Sequence, residues 1–199
     1  MAAIIPELVG VRVPPSQAMN IGKVLFTEQQ IQQRVRELAD EISRDYVGKD
    51  VLIVGLLKGA FLVVADLARN LTIENQVDFM VCSSYGAGTT SSGSIKLKKD
   101  IGIDPKGRNV IVVEDLIDTG TTLAWLKQHL LSKDVASLKI CCLLDKTARR
   151  TSDVQVDYVG WECPDEFVVG YGMDFAEQYR TLPFVGVLKP EAYGAGEGH

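Results

Sequence analysis

Three largely apolar runs limit what this chain can fold into. They are "VLIVGLL" at 51–57, "NVIVVE" at 109–114 and "ASLKICCLL" at 136–144. The first is apolar at every position, which predicts a strand buried on both faces of a sheet. "GAFLVVADLARNL" at 59–71 follows it with the composition of a helix. Strands that alternate with helices predict an α/β fold with a mostly parallel central sheet flanked by helices.

The remaining elements follow from local signals. A first helix is predicted to begin at Thr27, because Gln30 three residues later completes a capping box, and to end at Gly48. The long polar stretch at 86–107 predicts a loop that is functional or disordered. The other predicted segments are an irregular arm at 1–22, strands at 77–85, 156–161, 167–171 and 184–188, helices at 121–131 and near 174–180, and a flexible tail at 190–199.

Composition restricts the function classes. The 199 residues suit a single domain over 1–199, and the net charge of −5 leaves no basic excess for general nucleic-acid binding. The first residues lack the basic start of a signal peptide, and no apolar run approaches the length of a membrane span. Cys82, Cys141, Cys142 and Cys163 show no metal-binding spacing, which favours buried free thiols. We therefore expect a cytoplasmic protein with no membrane or nucleic-acid partner.

The segment "VIVVEDLIDTGTTL" at 110–123 runs from a strand into a helix and carries three acids. Its turn at 119–122 brings backbone N–H groups and three hydroxyls to a helix N-terminus, which suits a phosphate monoester. Glu114 and Asp115 would repel a phosphate, but they can accept hydrogen bonds from a vicinal diol. The segment therefore predicts a ribose 5-phosphate site. Asp118 could accept a proton there or stabilise a developing positive charge.

Rival motifs fit this segment less well. A Walker A loop needs a lysine that is absent here, and "GAGTTS" at 86–91 lacks the third glycine of a dinucleotide fingerprint. Asp115 and Asp118 are separated by two residues, whereas an aspartyl-phosphate phosphatase would show one. A simple helix cap at Asp118 or Thr119 would leave the other acids and threonines unexplained.

The segment resembles the 5-phosphoribosyl pyrophosphate (PRPP) motif of the type I phosphoribosyltransferases. The chain also resembles their hypoxanthine-guanine branch in "LLKGAF", "SSYG", "LLDK" and "DEFVVGYGMDFAEQYRTLP", which fall in order within residues 24–188. This resemblance implies the type I phosphoribosyltransferase fold, with a small hood built from the terminal regions. It also implies purine salvage: transfer of 5-phosphoribose from PRPP to N9 of hypoxanthine or guanine, with release of pyrophosphate.

The resemblance also assigns roles to residues of the motif. Glu114 and Asp115 would contact the ribose hydroxyls, and Asp118 would accept or share the proton at purine N7. Mg²⁺ is the implied cofactor, with Glu114, Asp115 and Asp174 as its carboxylates. The 5-phosphate would be held by Thr119, Gly120, Thr121 and Thr122.

Further roles fall outside the motif. Lys146 would donate to purine O6, Phe167 would stack on the base and Val168 would offer backbone groups to its edge. Asp174 would be the fourth purine-binding residue and would bind Mg²⁺ through water. Pyrophosphate would be bound by Lys58, Gly59 and Arg180. The resemblance also implies that the Leu57–Lys58 peptide bond can be cis. Ser84 and Tyr85 would begin a loop that closes over the reaction, and the family suggests a homodimer or homotetramer.

Each of these roles has an ordinary structural alternative. Lys146, Lys58 and Arg180 could be surface charges, Phe167 could be a core residue, and Asp174 could cap a helix. His129, near Trp125, is expected to be structural. Among rival functions, a xanthine enzyme also fits because xanthine carries O6, whereas Lys146 argues against adenine. A PRPP-binding regulator would need a basic surface or an added domain.

Overall fold

The computed structural model of the chain describes residues 5–84 and 95–194. Within these ranges, no helix is long and apolar enough to cross a membrane. In chain order the elements are α1 (Pro15–Ala18), β1 (Ile21–Phe26), α2 (Glu28–Asp45), β2 (Val51–Leu57), α3 (Phe61–Asn70), β3 (Asn75–Ser84), β4 (Ile95–Lys99), β5 (Asn109–Ile117), α4 (Thr121–Leu131), β6 (Ser137–Asp145), β7 (Tyr158–Glu162), β8 (Val168–Val169), β9 (Val185–Leu188) and α5 (Pro190–Tyr193).

The chain forms two compact units. The central unit comprises Arg34–Asp165, and the terminal unit combines Met1–Gln33 with Glu166–His199. The central unit holds a six-stranded sheet in the order β4-β3-β2-β5-β6-β7. All neighbouring strands in it are parallel except β3 and β4, which are antiparallel. This architecture confirms the predicted α/β fold.

The order of the strands creates a switch point between β2 and β5. The connection through α3 carries the chain from β2 to β3 on one side, and the connection through α4 carries it from β5 to β6 on the other. Adjacent connections that diverge in this way leave a crevice at the carboxyl ends of the two strands, where open α/β sheets bind ligands. The strands themselves are buried: every residue of β2 before Leu57 is inaccessible or nearly so, because helices cover both faces of a parallel sheet.

The terminal unit has its own small sheet and apolar cluster. Strands β1, β9 and β8 pair antiparallel, so the sheet joins residues from both ends of the chain, as the resemblance implied for the hood. Short helical turns at Pro6–Leu8 and α1 precede it. The buried members of the cluster are Leu8, Ala18, Ile21, Val169, Tyr179, Leu182, Phe184 and Leu188.

Two of the local predictions were wrong. The loop predicted at 86–107 contains β4, whose alternate residues Ile95 and Leu97 are partly buried while its lysines face outward. The short helix predicted near 174–180 does not form, because Ala176, Glu177 and Tyr179 adopt left-handed φ angles of 50°, 62° and 72°. Such angles cannot continue a right-handed helix.

Other local predictions were confirmed. The Thr27 backbone N–H donates to Oε1 of Gln30 at 2.9 Å, and the Gln30 N–H donates back to Oγ1 of Thr27 at 3.3 Å. Gly48, at φ 72°, follows the end of α2. The flexible tail at 190–199 stays a prediction, since its first residues form α5 and residues 195–199 lie outside the described residues.

Candidate active site

Buried charge concentrates at the carboxyl ends of the central strands. Among the described residues, the buried polar or charged side chains are Ser43, Asp115, Asp145 and Lys146. The last three lie at the ends of β5 and β6, next to the switch point. Charged side chains are rarely buried without a partner or a function, so their clustering at this edge marks a candidate active site.

The turn after β2 approaches the acidic pair closely. The Leu57–Lys58 peptide bond is cis, as the resemblance implied. Gly59 follows, and a Cβ atom at that position would collide with the carboxylate of Asp115. The absence of a side chain at Gly59 therefore allows the pyrophosphate-binding candidates after β2 to lie against the ribose-binding candidates on β5.

Glu114 and Asp115 form a strongly interacting pair of carboxylates. Burial raises the pKa of Glu114 well above its ordinary value, and the neighbouring charge of Asp115 raises it further. Glu114 also contributes to the raised pKa values of Cys82 and Cys142, where burial is the larger cause. Because their negative charges repel each other, these two acids are suited to accept hydrogen bonds from hydroxyl groups or to bind a cation.

The turn at 119–122 has the form expected of a phosphate site. Gly120 has φ 82° and is the N-cap of α4, and it has no side chain with which to cap the helix. The Thr121 N–H donates to Oγ1 of Thr119 only at a long 3.5 Å, and this contact leaves the three acids and the other threonines of the segment unexplained. Oγ1 of Thr119 lies 3.2 Å from Oγ1 of Thr121, so these hydroxyls gather at the start of the helix. The first N–H groups of α4 can therefore bind an anion.

The segment at 150–152 contacts this turn. The backbone N–H groups of Thr151 and Ser152 both donate to the carbonyl of Thr119, at 3.0 and 3.1 Å. A Cβ atom at Gly120 would lie 2.9 Å from Cδ of Arg150. Gly120 is thus required both by its left-handed backbone and by the close approach of Arg150.

Asp118 is held by an arginine. Its Oδ1 lies 2.8 Å from Nε of Arg149, and Nη1 of the same guanidinium lies 3.3 Å from Oδ1 of Asp165. The contact to Asp118 is an ion pair without hydrogen-bond alignment. Asp118 and Arg149 are about half exposed, with side-chain exposures of 45% and 48%. The candidate proton acceptor is therefore accessible and paired with a positive charge.

Lys146 lies next to the end of β5. Its backbone N–H donates to the carbonyl of Ile117 at 2.9 Å, which places Lys146 beside Asp118 across the sheet edge. Lys146 is only 7% exposed, so the surface alternative is wrong. The adjacent Asp145 is equally buried and pairs with Arg150, whose Nη1 also donates to the carbonyl of Val154 at 2.9 Å.

The terminal unit carries the other candidates. Phe167 is 38% exposed; it stacks on Tyr193 with ring centroids 4.9 Å apart and meets Phe175 edge to face. A ring that exposed is not a core residue, whereas Val168 is buried in β8. Asp174 accepts from the Glu177 N–H at 2.9 Å and pairs with Arg180 at 2.9 Å.

Two further predictions concern a loop that closes over the reaction and a Mg²⁺ site. Ser84 ends β3, and Tyr85 lies outside the described residues. Within the described part of the chain, no cluster of three or more His, Cys, Asp or Glu side chains could hold a metal ion. Glu114 and Asp115 do present the oxygen ligands that Mg²⁺ prefers, which fits an ion held mainly by substrate oxygens.

Four residues at this edge were not predicted from the sequence: Asp145, Arg149, Arg150 and Ser152. "LLDKTARRTS" contains a signal for them, since acids or bases directly after an apolar strand lie at the ligand-binding edge of a parallel sheet. His129, as expected, is structural: it stacks on Trp125 and its Nε2 lies 2.9 Å from Asp100. All four cysteines are free; Cys82 is only partly buried, contrary to expectation.

Comparison with known families gives a match that covers most of the chain. The model of the phosphoribosyl transferase domain matches residues 23–176. The chain is 45% identical over 174 residues to hypoxanthine-guanine phosphoribosyltransferase of Streptococcus thermophilus, covering 87% of this chain and 97% of the relative. It is 47% identical to the bifunctional protein TilS/HprT of Listeria monocytogenes, of which it spans only 27%.

Solved structures show the same relationship. A hypoxanthine phosphoribosyltransferase from Staphylococcus aureus superposes with a TM-score of 0.88 at 42% identity, covering 92% of this chain and 99% of that one. A hypoxanthine-guanine phosphoribosyltransferase from Bacillus anthracis, with HEPES in its active site, superposes with a TM-score of 0.82 at 47% identity, covering 85% and 99%.

Proposed function

The chain belongs to the phosphoribosyl transferase family, and we propose that it catalyses purine salvage. The reaction transfers the 5-phosphoribosyl group of PRPP to N9 of hypoxanthine or guanine, giving IMP or GMP and pyrophosphate. The observation that carries this proposal is the cluster of buried charges Asp115, Asp145 and Lys146 at the switch-point edge, beside a left-handed glycine that opens α4. The 6-oxopurine relatives that match 87% of the chain support the choice of base.

PRPP is bound through two kinds of group. The N-terminus of α4 and the hydroxyls of Thr119, Thr121 and Thr122 bind the 5-phosphate, since backbone N–H groups and a helix dipole favour an anion. Glu114 and Asp115 accept hydrogen bonds from the ribose hydroxyls. Their raised electrostatic energy in the free protein, which also raises the pKa of Glu114, is relieved when donors or Mg²⁺ arrive.

Departure of pyrophosphate leaves positive charge at C1 of the ribose. Carboxylates close to that carbon lower the energy of this charge, which is most effective where water is excluded. Asp118 accepts or shares the proton at purine N7 as N9 attacks C1. Lys58 and Gly59 bind the departing pyrophosphate on the central unit, and the loop that begins at Ser84 and Tyr85 excludes water.

Lys146 selects the base. A buried ammonium donates to O6 of hypoxanthine or guanine, whereas the amino group of adenine is itself a donor and cannot accept from Lys146. On the terminal unit, Phe167 offers an exposed ring face for stacking, and the backbone of Val168 recognises a base edge. Asp174 also contributes to purine binding. Arg180 binds pyrophosphate through two N–H groups of its guanidinium.

Mg²⁺ is the proposed cofactor, held by PRPP oxygens with Glu114, Asp115 and Asp174 as protein carboxylates. When bound, it neutralises phosphate charge and so favours the departure of pyrophosphate. We also propose that the protein is a cytoplasmic homodimer or homotetramer, as the family suggests.

A panel of bases tests the function. The purified protein is incubated with PRPP and Mg²⁺ and each of hypoxanthine, guanine, xanthine and adenine, and nucleotide products are separated chromatographically. We expect IMP and GMP, and no AMP. Product with xanthine alone would support the xanthine alternative, AMP as the main product would overturn the role of Lys146, and PRPP binding without any product would favour a regulator.

A further inference from the structure

The loop that carries Arg180 has an unfavourable backbone. Tyr179, immediately before Arg180, has φ 72°, and Ala176 and Glu177 are also left-handed. Residues other than glycine adopt this conformation only where the surrounding structure holds them in it. The position of the Arg180 guanidinium therefore depends on whatever fixes Tyr179.

Contacts within the loop hold its backbone and the guanidinium: the carbonyl of Tyr179 accepts from the Leu182 N–H at 3.1 Å, and the carbonyl of Arg180 accepts from the Gly172 N–H at 2.8 Å. Nη1 of Arg180 donates to the carbonyl of Gly172 at 2.8 Å, and its Nη2 pairs with Asp174 at 2.9 Å and Glu177 at 3.1 Å. These contacts orient the guanidinium relative to the loop. They do not reach the ring of Tyr179, which is 6% exposed and packs in the apolar cluster of the terminal unit.

The N-terminal segment at 5–20 adds a restraint on the Tyr179 side chain. The side-chain amide of Asn20 donates to the hydroxyl of Tyr179 at 2.8 Å across 159 residues of sequence. Leu8 and Ala18 are 4% and 3% exposed and belong to the same cluster as the Tyr179 ring. Asn20 is in turn fixed by its backbone, since its carbonyl accepts from the Lys189 N–H at 2.8 Å.

This segment lies outside residues 23–176, which the family model matches. We propose that the segment at 5–20 is a positioning element for the pyrophosphate-binding loop, and that Asn20 acts on Arg180 through Tyr179. The inference rests on the proposed function of Arg180. It gives residues 5–20 of the predicted irregular arm at 1–22 a role in the reaction without contact with a substrate.

The test compares Asn20→Ala with Met19→Ala. Met19 is the adjacent residue in the same segment and is 41% exposed, so its replacement controls for changes to the segment itself. Binding of Mg²⁺-pyrophosphate is measured by titration calorimetry, and KM is measured separately for PRPP and hypoxanthine. Losing one side-chain hydrogen bond predicts a pyrophosphate affinity weaker by about threefold to tenfold, with a similar rise in KM for PRPP and little change for hypoxanthine.

A second variant keeps the proposal testable if Asn20→Ala fails to fold. Tyr179→Phe removes only the hydroxyl, and we expect it to weaken pyrophosphate binding by a similar factor; the double variant should be no weaker than either single variant, because both remove one hydrogen bond. Unchanged pyrophosphate affinity in Asn20→Ala or Tyr179→Phe would overturn the proposal. So would an equal rise in KM for both substrates, which indicates general destabilisation. Failure of the proposed function is distinct, since the wild-type protein would then form no nucleotide.

Discussion

Nε of Arg149 lies 2.8 Å from Oδ1 of Asp118, so the proposed proton acceptor of the reaction is paired with a cation in the free protein. The same guanidinium also reaches Asp165 at 3.3 Å. A purine N7–H that binds Asp118 shares the carboxylate with the positive charge of Arg149. Substitution of Asp118 and substitution of Arg149 should therefore both change the kinetics of the reaction, but through different kinetic constants.

Replacing Asp118 with Asn should affect catalysis far more than PRPP binding. Asn keeps the size of the side chain but cannot accept the N7 proton, and loss of a general acid-base group typically costs about 10²- to 10⁴-fold in rate. We expect kcat for IMP formation to fall by about that range while the dissociation constant of PRPP changes less than about threefold. Steady-state kinetics and equilibrium binding measure the two quantities. An unchanged kcat would remove Asp118 from the mechanism.

Replacing Arg149 with Met should lower KM for hypoxanthine. Met retains much of the aliphatic volume and removes the positive charge that shares the Asp118 carboxylate. Because both groups are about half exposed, the pair is worth at most about 1 kcal/mol, so KM should fall by no more than about fivefold. Arg69→Met is the matched control, since Arg69 is 78% exposed and pairs with Asp66, away from the site. A rise in KM would show that Arg149 assists the base instead.

Much of the central sheet was predictable because its signals are local. The run at 51–57 is apolar throughout, and its short length and β-branched residues favour a strand covered on both faces. β4 escaped prediction because it is an edge strand in which Lys96, Lys98 and Lys99 alternate with two apolar residues, a pattern easily taken for a polar loop. The left-handed residues at 176–179 have no sequence signature, since none of them is a glycine.

The site was predictable where a motif is contiguous. The segment at 110–123 carries the candidate diol-binding and phosphate-binding groups within one strand-to-helix turn, so these candidates could be proposed from spacing alone. The contact between Arg149 and Asp118 depends on β6 lying beside β5, and the contact between Asn20 and Tyr179 joins opposite ends of the chain. Pairings of this kind are set by tertiary structure, and no local pattern encodes them.

Replacing Lys146 with Gln should relax the choice between 6-oxo and 6-amino purines. The neutral amide can donate to O6 or accept from an adenine amino group, whereas the ammonium only donates. A hydrogen bond from a charged group contributes about 1.5–3 kcal/mol, so the ratio of kcat/KM for hypoxanthine to that for adenine should narrow by about 10- to 100-fold. Lys139→Gln is the control: Lys139 lies on β6, the strand that ends just before Lys146, its side chain is 45% exposed, and the variant should keep the parental preference. If Lys146→Gln kept the wild-type preference for hypoxanthine over adenine, the proposed role of Lys146 would be refuted.

Replacing Gly59 with Ala should damage both stability and PRPP binding. The new methyl group would overlap the carboxylate of Asp115, and overpacking of this kind costs about 1–3 kcal/mol of unfolding free energy. The loss should be smaller when Asp115 is first replaced with Ala, which a double-mutant cycle by urea denaturation measures. Gly102→Ala is the control, because its nearest neighbour would be Oδ2 of Asp78 at an ordinary 3.7 Å. Equal losses with and without the Asp115 carboxylate would contradict the contact.

Replacing Glu114 with Gln should make the free protein more stable at neutral pH. Burial and the charge of Asp115 raise the pKa of Glu114 above its ordinary value of 4.5. Between that value and the higher folded pKa, the folded state holds a proton that the unfolded state has lost, so stability falls as pH rises through this window. Gln does not titrate, and the stability advantage of the variant should therefore be smallest near pH 4.5, grow as pH rises and then level off. Urea denaturation of both proteins across this pH range, without Mg²⁺ or PRPP, measures this difference. A variant less stable than wild type across the whole range would mean that the ionised Glu114 is stabilised by its surroundings, contrary to the electrostatics of the pair.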